Sequence, residues 1–316
     1  MLSDMKTKKS FVKWQDKTVL VTGATGFVGP YLVKELLRKE ARIRVLIMDS
    51  VGNLSGLENQ ITFERGNILY QNSLKNSMND VDVVFHLAGI SNVNYALNHP
   101  KETFNTNATG TLNLLEEARQ KEVEKFVYIS SSHVYGVPKY LPMDELHPIN
   151  PHEPYAASKA AAEMLVNTYA LNYGLKTTII RPFNMYGTGQ SEGFIIPSII
   201  KQANEKVTVD VGNITPTRDF LYITDAINGI LTIAESGSGT YNIGSGSETS
   251  IKEVVETVID IINPAKKYVS IQSRQRPEAT DIPRMCADVS KLKKLGWSPT
   301  IGLRDGLMKT IKATGG

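Results

Sequence analysis

The strongest constraint on this chain is a ladder of glycines, Gly23, Gly26 and Gly29, in the segment VTGATGFVGP (21–30). A β-branched apolar run, TVLVT (18–22), leads into it. Residues 27–39 leave it with Val28, Tyr31, Leu32, Leu36 and Leu37 near helical spacing. The order is buried strand, tight turn, helix. Glycine suits such a turn because it has no Cβ to collide with the neighbouring backbone. Pro30 falls in the first helical turn, where a missing N–H costs little.

A turn of this kind offers unpaired N–H donors and a positive dipole to an anion, and its glycines let the backbone approach a pyrophosphate. The spacing is G-x-x-G-x-x-G, not the G-x-G-x-x-G of ordinary dinucleotide sites. A purely structural strand-to-helix turn would also use glycine, so the motif alone has two readings.

The pattern continues through RIRVLIMD (42–49), ITFERG (61–66), DVVFHLAG (82–89), a helix over 109–120, KFVYIS (125–130), a helix over 155–173 and KTTIIRP (176–182). Strands alternating with helices predict an α/β fold, a Rossmann-type doubly wound parallel sheet. After Gly187 the pattern loosens around Pro197, Pro216 and several glycines. This predicts a polar tail over 1–16, a dinucleotide-binding domain over 17–187 to which about 212–244 returns, and a smaller C-terminal α/β lobe over 188–316. Ligands in open α/β sheets bind outside the carboxyl ends of the strands.

The composition narrows the function classes. A formal net charge of +3 and 21% charged residues give no basic stripe, so no nucleic-acid partner is expected. Cys286 is the one cysteine, which rules out a disulfide within the chain and suits a cytoplasmic protein. It has no neighbouring His or second Cys, and no metal site is expected. No apolar run approaches the roughly 18 residues of a membrane span, and MLSDMKTKKSFVKWQDK is too polar for a signal-peptide core.

Three further groups carry chemistry. Asp49 stands where strand two ends, roughly twenty residues past the last glycine, where an acid accepts from the ribose hydroxyls of NAD and repels the extra phosphate of NADP. Its other reading is a turn residue in Asp-Ser-Val-Gly. Arg42 and Arg44 lie nearby, so NAD is favoured over NADP without excluding it. YAASK (155–159) puts Tyr155 and Lys159 on one helical face. An ammonium beside a phenol favours the phenolate, and the pair can then take a proton from a sugar hydroxyl while hydride leaves to a dinucleotide. The strand-to-turn segment KFVYISSSHVYG (125–136) supplies hydroxyls for the same sugar oxygen, or merely for turn backbone groups.

Together these segments resemble the extended short-chain dehydrogenase/reductase family of nucleotide-sugar epimerases, 4,6-dehydratases and 4-reductases, over about residues 17–307. The resemblance rests on TGATGFVG (22–29), HLAG (86–89), NATGT (107–111), SSSHVYG (130–136), YAASK (155–159), RPFNMYGTGQ (181–190), RDF (218–220), RPEATDI (276–282) and DVSKLKKLGW (288–297). It implies Ser131, Tyr155 and Lys159 as catalytic residues, with Ser132 the alternative hydroxyl. It implies an NAD site formed by Gly23, Thr25, Gly26, Phe27, Val28, Asp49, Asn67, Ile68, Leu87, Ala88, Gly89, Asn107, Tyr155, Lys159 and Pro182. Arg181 and Phe183 resemble the turn packed near the nicotinamide. Ser132, His133, Asn184, Phe194, Arg218 and Arg276 are implied in binding a nucleotide-diphosphate sugar, with arginine forks on the diphosphate.

Two departures bear on activity. Many relatives carry an acid in G-D-I near the adenine, and this chain has Asn67 in GNI (66–68). The 4,6-dehydratases carry a carboxylate pair, or a Glu, just after the catalytic hydroxyl, where this chain has Ser132 and His133. The resemblance, so qualified, implies oxidation at C4 to a 4-keto intermediate and return of hydride, a 4-epimerase. The rivals are a GDP-4-keto-6-deoxyhexose 4-reductase using NAD(P)H, suggested by FIIPSIIKQ (194–202) and GNITPTRDF (212–220), and a 4,6-dehydratase. A non-catalytic dinucleotide-sensing protein is the alternative class, and an intact Ser131, Tyr155 and Lys159 set argues against it. The family implies a homodimer through helices near 103–120 and 155–173, the second rich in alanine.

Overall fold

The structure, a computed structural model, describes residues 13–272 and 282–315. In chain order its strands are β1 (Thr18–Thr22), β2 (Arg42–Ile47), β3 (Ile61–Arg65), β4 (Val83–His86), β5 (Lys125–Ile129), β6 (Thr177–Pro182), β7 (Asn184–Tyr186), β8 (Thr208–Val211), β9 (Thr217–Arg218), β10 (Phe220–Tyr222), β11 (Gly239–Ile243), β12 (Thr249–Ser250) and β13 (Lys267–Ser270). The helices are α1 (Gly29–Arg38), α2 (Val93–Asn98), α3 (Pro100–Phe104), α4 (Gly110–Gln120), α5 (Pro154–Tyr173), α6 (Ile195–Glu205), α7 (Ile223–Ser236), α8 (Ile251–Ile262), α9 (Ser290–Lys293) and α10 (Leu303–Ala313).

Seven parallel strands form the central sheet in the order β11-β6-β5-β4-β1-β2-β3. Successive strand residues point to opposite faces, and the two cores divide accordingly. Val19, Val21, Val83, Phe85, Val127 and Ile180 share a core with Leu32 and Leu36 of α1 and Ile227 and Ile230 of α7. Leu20, Val84, Phe126, Tyr128 and Ile179 share the other with Leu114 and Leu115 of α4 and Ala162 and Val166 of α5. Burial on both faces is why these strands read as continuous apolar runs.

The remaining strands pair locally. β7 runs parallel to β10, β8 runs parallel to β13, and β9 runs antiparallel to β12. The carboxylate of Asp219, fully buried between β9 and β10, accepts from the backbone N–H of Ser245, Gly246 and Ala287 and from the Ser245 hydroxyl. One side chain thereby ties β9, the loop after β11 and the C-terminal segment into one unit.

Two sequence boundaries move. The polar tail expected over 1–16 already carries structure at its end, because Trp14–Asp16 forms a 3-10 turn. Trp14 is 4% exposed, lies against Phe85 and donates from its indole N–H to Glu235. An indole gains enough from burial to pin a polar segment. Strand β2 stops at Ile47, so Asp49 stands two residues beyond it, exposed, on the loop past the strand. Among the described residues, no helix is long and apolar enough to cross a membrane, and no group of three His, Cys, Asp or Glu is placed to hold a metal ion.

Candidate active site

The strand order reverses between β1 and β4, so the loops leaving these two strands diverge and open a crevice at their carboxyl ends. Gly23 lies where the loops meet. Its φ is +68°, and a Cβ there would fall 2.6 Å from the Ala88 nitrogen. Gly29 packs as closely, with a Cβ position 2.4 Å from Ala24. Gly26 differs. It is exposed, and a Cβ would meet only the Gly23 carbonyl, at 3.3 Å. Protein packing demands the outer two glycines, while the middle one leaves backbone open above the turn. Helix α1 has no side-chain cap on its first N–H groups. An open backbone and free helical donors fit an anionic diphosphate.

Thr25, Phe27 and Val28 are partly exposed along this turn. Phe27 stacks edge-on to Tyr31, whose hydroxyl donates to the Thr188 carbonyl. Asp49 is exposed, and no described residue hydrogen-bonds its carboxylate. Asn67 turns its side chain inward, accepting from its own chain at Leu69 N–H in an Asx turn. Ile68 is buried under Gly110, where a Cβ would clash with it at 2.6 Å.

A buried chain of hydrogen bonds shapes the loop after β4. Thr111 donates to the Asn107 carbonyl at 2.6 Å, so its oxygen accepts from Nε2 of His86 at 2.9 Å. Nδ1 of His86 is then the acceptor for the Thr22 hydroxyl, which itself accepts from the Ala88 N–H. The tautomer follows from this network. Burial pushes His86 down to about 3, so the ring stays neutral. Leu87, Ala88 and Gly89 are held by it at the mouth of the crevice. Asn107 lies in a π-turn, Asn105–Thr109, and its amide is spent within the protein: Oδ1 accepts from Ile90 N–H, and Nδ2 donates to the Ile90 carbonyl and the Ser158 hydroxyl. The Asn107 side chain thereby sets the loop after β4.

Helix α5 brings the two central groups together. Its N-cap is Glu153, whose carboxylate accepts from Tyr155 N–H at 2.7 Å and Ala156 N–H at 2.9 Å, with Pro154 at the first helical position. Tyr155 and Lys159 are 7% and 5% exposed. Burial pushes the Tyr155 hydroxyl up to about 12, and a hydrogen bond with the Ser131 side chain opposes that rise. Burial pushes the Lys159 ammonium down to about 8. It donates to the Ile129 carbonyl at 2.7 Å and lies 4.8 Å from the centre of the Tyr128 ring. The groups acting on the Tyr155 hydroxyl are its burial, the Ser131 side chain and the Glu153 carboxylate, and the lowering expected from Lys159 is not among them.

Ser131 caps the short 3-10 turn Ser132–Tyr135, accepting from His133 N–H at 3.2 Å. Ser132 is 2% exposed in that turn. The His133 ring meets the Tyr155 ring edge to face at 5.8 Å, and its Nδ1 lies 3.5 Å from Oε1 of Glu153. Glu153 was missed in the sequence; an acidic residue immediately before a helix-opening proline was the available signal.

The family model described as GDP-mannose 4,6 dehydratase matches residues 20–310. The chain belongs to the extended short-chain dehydrogenase/reductase family of nucleotide-sugar epimerases and dehydratases. It is 31% identical over 315 residues to the human dTDP-D-glucose 4,6-dehydratase, covering 94% of this chain and 89% of that one. The UDP-glucose 4-epimerase of Thermotoga maritima, solved with UDP-glucose, superposes with a TM-score of 0.87 at 28% identity over 94% of this chain and 98% of that one. The Thermus thermophilus UDP-glucose 4-epimerase, solved with NAD, gives 0.86 at 29% identity over 93% and 98%.

In this extended short-chain dehydrogenase the other expected groups lie at the end of β6 and on the segments that follow it. Pro182 is buried opposite Ile243, and Asn184 is half-buried at the start of β7, its backbone N–H on the Asp219 carbonyl. Phe194 is the half-buried N-cap of α6. Arg218 pairs with Thr249 and donates to the Thr217 carbonyl. Arg276 lies outside the described residues. Arg181, on the turn expected near the nicotinamide, is 4% exposed in an ion pair with Glu163 at 2.6 Å, and it also donates to the Tyr135 hydroxyl. A guanidinium so enclosed holds β6 to α5.

Proposed function

We propose that this chain is an NAD-dependent nucleotide-sugar 4-epimerase. The observation that carries the reading is the convergence of Ser131, Tyr155 and Lys159 at the carboxyl ends of β5 and the start of α5, beside the glycine turn. When bound, NAD supplies the hydride acceptor and a positive ring that favours the phenolate. The residues that would hold it are Gly23, Thr25, Gly26, Phe27 and Val28 at the diphosphate, Asp49 at a ribose, and Asn67 and Ile68 near the adenine. Leu87, Ala88, Gly89 and Pro182 would line the nicotinamide end, and Lys159 would also reach its ribose.

Tyr155 takes the proton of the sugar's O4 hydroxyl, with Ser131 as its hydrogen-bond partner. Once C4 had been oxidised and then reduced from its other face, Tyr155 would give the proton back to O4. The diphosphate falls to Asn184, Arg218 and Arg276, and the sugar to Ser132, His133 and Phe194. The similarity to 4-epimerases over nearly the whole chain supports this assignment, as does the lack of a carboxylate at 132 and 133.

The experiment is incubation with a panel of UDP-, GDP- and dTDP-sugars and catalytic NAD, and in a parallel arm with a GDP-4-keto-6-deoxyhexose and stoichiometric NAD(P)H, with products identified by NMR. An isomer of unchanged mass, with no net NADH, is expected. Stoichiometric NADH consumption marks a 4-reductase, and loss of water marks a 4,6-dehydratase; either overturns the epimerase.

We also propose that the chain forms a homodimer. On α5 the positions Ala157, Ala161, Met164, Thr168 and Leu171 make one face, with Met164 64% and Leu171 85% exposed. Leu112 on α4 and Phe104 before it are exposed as well. Such a stripe matches a helix-on-helix contact between copies. Sedimentation equilibrium with Met164→Glu and Leu171→Glu, expected to give monomers, tests it.

A further inference from the structure

Residues 187–194 run from the end of β7 to the start of α6 and meet both loops that frame the crevice. At one end Gly187 is buried, and a Cβ there would fall 2.5 Å from Ile223 and 3.7 Å from Phe27, on the glycine turn after β1. Beside it the Tyr31 hydroxyl of α1 donates to the Thr188 carbonyl at 2.9 Å. Burial pushes that hydroxyl up, so it stays protonated and remains a donor. At the other end a Cβ on Gly193 would fall 3.0 Å from Nδ2 of Asn92, the residue that caps α2 on the loop after β4. The loops after β1 and β4 are the two banks of the crevice, and this segment bridges them.

The bridge is lightly held. Among the described residues, Tyr31 to Thr188 is the one hydrogen bond between it and either bank. Its other polar groups turn inward: Gln190 Nε2 donates to the Met185 carbonyl, and Ser191 accepts from the N–H groups of Gly193 and Phe194. Gly189 is exposed at φ +83°, a conformation glycine adopts without strain. Oε1 of Gln190 is buried with no hydrogen-bond partner among the described residues. An unpaired buried acceptor penalises this closed position, and lifting the bridge into water relieves it. We infer that residues 187–194 are a strap over the dinucleotide, latched by the Tyr31 hydroxyl, and that the strap lifts whenever cofactor enters or leaves. The inference rests on the proposed placement of NAD over the glycine turn, whichever sugar reaction follows. In a 4-epimerase the closed strap keeps the reduced cofactor in place between the two hydride transfers. Tyr31 touches no reacting atom and is a positioning residue.

Stopped-flow fluorescence tests it, following NADH binding to the nucleotide-free full chain and NADH release into excess NAD. A latch acts on opening alone. Tyr31→Phe, which removes only the hydroxyl, should therefore speed association and release alike, each by about 3- to 10-fold, the worth of one hydrogen bond, and leave the dissociation constant in place. A second variant locks the strap. Asn92→Cys with Gly193→Cys, oxidised to a disulfide, should slow both rates at least about 10-fold, and reduction should restore them in the same sample. The native Cys286 is buried away from that pairing. Unchanged rates in Tyr31→Phe, faster release without faster association, or introduced thiols that do not pair under oxidant overturns the strap and leaves the cofactor's place standing. If Gly26→Ala binds NADH as tightly as wild type, the placement over the glycine turn fails and the strap fails with it.

Discussion

The ammonium of Lys159 donates to the main-chain carbonyl of Ile129 at 2.7 Å, at the end of the strand that leads into Ser131. The lysine on the face of Tyr155 is thus anchored to β5, and its burial has a thermodynamic signature. Its pKa drops from 10.5 to about 8 on folding, so between those values the unfolded chain binds the proton and the folded chain does not. Stability therefore rises with pH across that window, and below it the buried ammonium is a constant cost. Relative to Lys159→Met, wild-type unfolding free energy should gain about 3 kcal/mol from pH 8 to 10.5. Urea titrations at half-unit pH steps measure it; a flat difference would show that the lysine is not buried in its charged form.

The phenol of Tyr155 is held up to about 12 by burial before any cofactor arrives. Without dinucleotide, the tyrosinate absorbance difference between wild type and Tyr155→Phe should stay absent through pH 10. With saturating NAD it should appear at lower pH. Tyr155→Phe should lose turnover by roughly 10³-fold while still binding NAD. Difference absorbance and calorimetric titration check both statements.

The three glycines should separate by phenotype. Gly23→Ala combines a φ of +68° with a Cβ 2.6 Å from the Ala88 nitrogen, and should cost about 3 kcal/mol of stability. Gly26→Ala meets only a carbonyl at 3.3 Å. It should cost about 1 kcal/mol or less and yet weaken NAD binding at least about 10-fold. Equal stability losses in the two variants would contradict an open cradle at Gly26.

The Arg181–Glu163 pair, 4% and 1% exposed, should be far more sensitive to loss of one partner than of both. Glu163→Leu strands a guanidinium and should destabilise by about 3–5 kcal/mol. The double variant Arg181→Met with Glu163→Leu should recover most of that loss. A double-mutant cycle by chemical denaturation reads the coupling.

Much of the frame was legible in the residues. Strand and helix periodicity and the glycine turn predicted the parallel sheet and its open end, because burial on both faces and a tight βα turn each leave a local mark. Tyr155 and Lys159 were legible because helical spacing puts them on one face. Partnership across the fold was not. No motif showed that Lys159 donates to the Ile129 carbonyl, that the Asn107 amide braces the loop at Ile90, or that Arg181 pairs with Glu163. Trp14 was masked by a polar neighbourhood, and Glu153 by its place outside any motif.

The sequence by itself determined the order of elements, the glycine cradle and the types of residue available for proton transfer. Only the tertiary structure decided which donor meets which acceptor. A buried polar group takes its nearest partner in space, and Glu153 reaches His133, as Arg181 reaches Glu163, only after sheet and helix have packed.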